Sequence, residues 1–152
     1  METYRMQSRS SIGKILMTCL AISMLSLLCG FKSAPATRTT PAQYTELGNV
    51  LTSSGDFAGA EKMFNFALER DQNYIPAYMG KSLLYSKQGN RDKAVEEYDK
   101  IIAIEPGNSD AYVSKGLLYL NMSKRELAAK NFTKACEMGN QSGCIFIKEM
   151  NE

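Results

Sequence analysis

The sequence predicts an all-α fold, three helix hairpins in tandem followed by a capping helix, and three observations predict it. Segments beginning at Pro41, Ile75 and Ser109 align without gaps when shifted by 34 residues, and coincidence at one fixed period marks a tandem repeat. Within the segments apolar residues recur at helical spacing, as in Ala94, Val95, Tyr98, Ile101 and Ile102. Turn-forming pairs fall where helices must reverse or end: Gly55-Asp56, Gly89-Asn90, Gly107-Asn108 and Gly139-Asn140.

Ahead of the repeats lies a targeting pattern. Residues 1–14 are polar and basic, and Ile15 to Cys29 follow without a charge. A basic region before a short apolar one is the pattern of a secretory signal, and the run is shorter than the roughly 20 apolar residues a membrane-spanning helix needs. Two ends of the signal stay open. Leu27, Leu28, Cys29 and Gly30 resemble a bacterial lipoprotein box, which makes Cys29 a lipidation candidate, although Leu28 stands where a small residue is usual and Ser26 where Leu is usual. Ala34, Pro35 and Ala36 instead form an A-x-A site for cleavage before Thr37. Either end implies an exported protein, periplasmic or held at the envelope as a lipoprotein. Residues 1–36 thus read as signal and the start of a tether, and 37–40 as linker.

The repeats follow at 41–74, 75–108 and 109–140. Their first halves align Tyr44, Tyr78 and Tyr112, then Gly48, Ser82 and Gly116, then Leu51, Tyr85 and Tyr119. The second halves align Ala60, Ala94 and Ala128, then Phe64, Tyr98 and Phe132. Small residues at the first set of positions are expected to face the alanines of the second, so that paired helices approach closely. Pro76 suits a first helical turn and Pro106 a helix stop. The tail 141–152 carries Cys144, Ile145, Phe146, Ile147 and Met150 at spacings that bury one side of a short helix, as a solenoid cap must.

These residues resemble the tetratricopeptide repeat: the period, the aromatic and small positions of the first helix, and the alanine and aromatic positions of the second are its signature. Tyr replaces the common Trp in all three units, Ile101 replaces a small residue, and Gln72 stands where Pro is usual. The resemblance implies a right-handed α-solenoid whose first helices line a concave groove for an extended peptide or a helix. By that analogy the groove holds Thr45, Glu46, Asn49 and Thr52 from the first unit and Met79, Gly80, Leu83 and Ser86 from the second. The third supplies Asp110, Val113, Ser114, Leu117 and Asn121. Met79, Leu83, Val113 and Leu117 would form an apolar patch suited to an apolar or amphipathic segment. Of the Lys, Asn and Arg clamp with which the family's chaperone-tail binders grip a carboxylate, only Asn49 is kept, with Thr45, Asp110 and Ser114 at other clamp positions. The stretch from Lys134 to Cys144 also resembles the Sel1-like relatives, which implies a disulfide between Cys136 and Cys144; two buried free thiols are the alternative.

Composition narrows the function. At 152 residues, 44% apolar and 22% charged, the chain makes one globular domain with a short extra segment. It has no His, which removes the commonest general base and metal ligand, and two thiols alone leave a metal site short of ligands. The net charge of +2 comes from Arg5, Arg9 and Lys14 against Glu2, so the rest is neutral and carries no field for nucleic acid. Asp92, Glu96, Glu97 and Asp99, interleaved with Lys93 and Lys100, read as a solvated helix face. The S-x-x-K match at Ser11 to Lys14 and the sequons at Asn121, Asn131 and Asn140 read as chance. The expectation is a non-catalytic envelope module without cofactor or metal that binds another protein and meets the membrane only through its signal or lipid. A self-associating scaffold is one alternative, and a cell-wall enzyme of the Sel1-like type is another.

Overall fold

The computed structural model describes residues 39–152, and the expected signal with Cys29 lies outside the described residues. Seven helices follow: α1 (Pro41–Ser54), α2 (Phe57–Arg70), α3 (Ile75–Lys87), α4 (Arg91–Ile104), α5 (Ser109–Asn121), α6 (Arg125–Glu137) and α7 (Gln141–Asn151). There is no strand among the described residues. The first six pair as hairpins α1/α2, α3/α4 and α5/α6, stacked as a solenoid, and α7 lies against α6. Successive hairpins join where α3 meets both α1 and α2, and where α5 meets α4.

Local chemistry sets the boundaries. Thr40 and Gln43 form a reciprocal capping box at α1, satisfying two backbone donors that the first turn leaves open. Asp56, Asn90, Asn108 and Asn140 cap α2, α4, α5 and α7 by accepting from the backbone three residues on. Inside the hairpins the chain reverses through a left-handed residue at one repeat position: Gly55 at φ 88°, Gly89 at φ 78° and Ser123 at φ 59°. Glycine adopts that conformation without penalty, whereas Ser123 pushes its Cβ toward backbone.

Each hairpin closes on a second-helix residue that is fully buried. Ala60, Phe64, Ala94, Ala128 and Phe132 have no exposed surface. The glycines face the aromatic ring, one turn beyond the alanine expected from sequence. A Cβ on Gly48 would lie 2.6 Å from Phe64 Cε1, and one on Gly116 would lie 2.5 Å from Phe132 Cε1. Gly80, on the neighbouring hairpin, also abuts the Phe64 ring, so this one ring serves two hairpins. The second hairpin differs: Tyr98 is half-buried, and Ser82 instead donates to the Ala94 carbonyl at 3.0 Å.

The cap continues the same packing. Phe146 stacks on Phe132 with ring centroids 4.9 Å apart, and the backbone of Gly143 sits directly against Ala135 and Cys136. A disulfide joins Cys136 to Cys144, with 4.6 Å between their Cα atoms. Asn140 fixes the approach, since its Nδ2 donates to Asp110 at 2.7 Å while its Oδ1 caps α7.

Candidate partner-binding groove

The first helices of the hairpins carry the groove residues expected from sequence, and the structure sorts them into three groups. Met79 and Leu83 are each 49% exposed and Leu117 is 38% exposed, while Val113 is half-buried. Met79 and Leu83 are four residues apart on α3, and Val113 and Leu117 four apart on α5, so each pair shares one helix face. Glu46, Asn49, Asp110 and Asn121 are exposed around them, with Ser86 and Ser114 half-buried. A small cleft of about 140 Å³ between α3, α4 and α5 brings Met79, Asp110 and Ser114 together over Tyr98 and Ile101.

Three expected groove residues, Thr45, Thr52 and Gly80, are not on the surface. Thr45 is 5% exposed and Thr52 is 1% exposed. The Thr52 hydroxyl donates to the Gly48 carbonyl at 2.8 Å, and this bond within its own helix lets a polar side chain be buried. Thr45 Oγ1 is buried with no partner. Gly80 is also buried, under the Phe64 ring and close to Asn49 Oδ1. Asp110 reaches the surface but is already engaged by Asn140.

The acidic run on α4 departs from expectation at one place. Asp92, Glu96 and Asp99 are exposed, but Glu97 is only 3% exposed. Its Oε1 accepts from Lys100 at 2.9 Å and lies 3.9 Å from Lys81 Nζ, which offsets the buried charge, while its Oε2 is buried without a partner. No cluster of three or more His, Cys, Asp or Glu placed to hold a metal occurs among the described residues. No described helix is long and apolar enough to cross a membrane.

Sequence reasoning missed a larger cleft of about 670 Å³ on another face of the third hairpin, between α5 and α6. Tyr112, Lys115 and Tyr119 line it from α5, and Leu127, Lys130, Asn131, Lys134 and the acidic Glu137 from α6. Position-by-position comparison of the charged residues in the three repeats is the signal that would have found it.

Models of the tetratricopeptide repeat family match residues 51–120 and 109–139. A crystal structure of MamA is similar over 68% of this chain and 60% of that one, at 34% identity and a TM-score of 0.60. The TPR domain of Sgt2 from Aspergillus fumigatus is similar over 79% of this chain and 81% of that one, at 19% identity and a TM-score of 0.62. The first TPR of Spaghetti (RPAP3), bound to the HSP90 peptide SRMEEVD, covers 73% of this chain and 90% of that one, at 16% identity and a TM-score of 0.60. These last two likenesses are likenesses of fold. Among curated proteins, the human (Homo sapiens) Protein O-mannosyl-transferase TMTC1 is 37% identical over 60 residues, 40% of this chain. The chain spans only 7% of that protein's length and 60% of the MamA chain.

Proposed function

Because the chain carries tetratricopeptide repeats, a fold that serves as a protein-interaction module, we propose that it binds an apolar or amphipathic segment of a partner protein along α1, α3 and α5, without catalysis. The observation that carries this reading is the exposure of Met79 and Leu83 on one face of α3 and of Leu117, next to half-buried Val113, on one face of α5, with Met79 meeting Asp110 and Ser114 of α5 at the small cleft. Large apolar side chains grouped on a surface and rimmed by polar groups mark an interaction site. Glu46, Asn49 and Asn121 supply the polar rim, and a helix with apolar side chains three and four residues apart matches the strip. That the Spaghetti TPR holds an HSP90 peptide supports peptide binding as the mode, with the partner left open by the fold.

The site of action is the bacterial cell envelope on this reading, with residues 1–36 as export signal and Cys29 or Thr37 as the first residue of the processed chain. Intact mass of the protein expressed with its own signal in a bacterial host separates the two: a diacyl or triacyl adduct on Cys29, or a chain starting at Thr37. An unprocessed chain would overturn the export reading.

The groove is tested by comparing proteins captured by the wild-type chain with those captured by Leu83→Glu/Leu117→Glu. Both positions are exposed, so the double variant should keep its helical circular dichroism and melting temperature. It should lose the specific partner. Retention of the same partner at the same yield would overturn the groove assignment. Exposed Leu47, Val50 and Ile145, outside the groove strip, favour self-association as a second reading, read directly by concentration-dependent light scattering.

A further inference from the structure

We propose that the cleft between α5 and α6 on the third hairpin is a second binding site, which takes a carboxylate side chain from an acidic segment of a partner protein. The cleft lies apart from the groove, because Tyr112, Lys115 and Tyr119 form a different stripe of α5 from Asp110, Val113, Leu117 and Asn121. The proposal therefore stands independently of the groove reading.

The argument comes from the repeats themselves. One repeat position on the first helix and two on the second hold Leu47, Met63 and Phe66 in the first unit, Lys81, Glu97 and Lys100 in the second, and Lys115, Asn131 and Lys134 in the third. In the second unit the Glu97 carboxylate is buried at that position, accepting from Lys100 at 2.9 Å with Lys81 Nζ at 3.9 Å. The third unit keeps both lysines and replaces the carboxylate with Asn131, whose Nδ2 turns to the Leu127 carbonyl at 2.7 Å. The third unit carries a cleft of about 670 Å³ beside that position. The second unit thus shows, inside the same protein, the group that this pair of lysines accommodates.

Charge and shape define the ligand further. Lys130 adds a third ammonium to the lining, against the single carboxylate of Glu137, and has no ion pair among the described residues. Lys134 pairs with Glu137 at 3.4 Å with both side chains about half exposed, a surface pair weak enough to exchange for an incoming carboxylate, whereas Lys115, more deeply buried, stays paired with Asp99. Leu127, exposed, and Tyr112 and Tyr119, half-buried, give the cleft apolar walls. An acidic residue flanked by an apolar one fits both features.

The probe is a fluorescein-labelled peptide of alternating Glu and Leu, titrated with the full chain by anisotropy at low salt, beside the same peptide with Gln for Glu. The acidic peptide should bind, weaken as salt is raised, and outcompete the Gln peptide. Asn131→Glu, which rebuilds the second unit's arrangement, and Lys130→Glu, at an exposed position, should each weaken binding about tenfold while helicity is unchanged. Equal binding of the Gln peptide, no binding of either, or full binding by both folded variants would overturn the proposal. Loss of binding in Met79→Ser/Leu83→Ser but not in these variants would place the peptide in the groove and overturn it as well.

Discussion

The hydroxyl of Tyr85 on α3 donates to the carboxylate of Glu61 on α2 across 2.5 Å, a side-chain bond that crosses from one hairpin to the next. Tyr85 is buried, and burial first, then the bond to Glu61, pushes its phenol well above the ordinary value of 10.0. Tyr85→Phe should destabilise the fold by about 1 kcal/mol, because it removes one part-buried hydrogen bond and leaves Glu61 unpaired. The pH dependence has a definite sign. The folded state holds this proton more tightly than the unfolded state, so the contribution is complete below pH 10.0 and is lost as pH rises toward the folded value. Melting temperatures of wild type and Tyr85→Phe should therefore converge above that pH; a constant difference would show that the phenol proton is not linked to folding.

Ser123→Gly should stabilise the protein. Ser123 occupies the left-handed turn position that Gly55 and Gly89 hold in the other hairpins. Relief of the Cβ contact, offset by the greater freedom of glycine in the unfolded chain, leaves a gain of about 0.5 to 1 kcal/mol. Urea denaturation measures it directly.

Gly116→Val should act in the opposite direction. Its Cβ would meet the Phe132 ring at 2.5 Å, and that ring is fully buried and stacked on Phe146. With no side chain free to yield, the cost is about 1 to 3 kcal/mol, read by the shift of the denaturation midpoint.

Reduction of the disulfide, or Cys136→Ser/Cys144→Ser, should lower the melting temperature, since closing a loop of this length contributes about 2 to 3 kcal/mol. Oxidised intact chain should weigh two mass units less than reduced chain. Removing 141–152 goes further, because it also strips Phe146 from Phe132 and uncovers the last hairpin. Aggregation or partial unfolding is the expected result, and an unchanged melting curve would show that α7 does not act as a cap.

The helices and their order were legible because periodicity and turn chemistry act over a few residues. Asp56, Asn90 and Gly89 announce boundaries that neighbouring backbone then adopts. Burial was legible only where the side chain type decides it. Thr45 and Thr52 look like surface residues, yet Thr52 satisfies its hydroxyl on Gly48 and needs no water. Glu97 looked solvated with its neighbours because the lysines that hold it come from two different helices. The same dependence on pairing hid the cleft at Asn131, whose meaning appears only when Lys115 and Lys134 are set beside their counterparts in the preceding unit. Gly48 and Gly116 mark points of close approach in the sequence itself, but the group they admit is set by the depth of the Phe64 and Phe132 rings.

The Cys136–Cys144 bond also gives the solenoid a direction. A stack in which each unit touches only its neighbours frays from its ends, and here α7 cannot peel away from α6 without carrying the cross-link with it. Among the described residues α1 has no covalent tie, being held to α2 and α3 by packing alone. Opening should start at the first hairpin and unzip toward the cross-linked end, so that brief exposure to a protease cuts near α1 and α2 and leaves a resistant fragment containing α6 and α7.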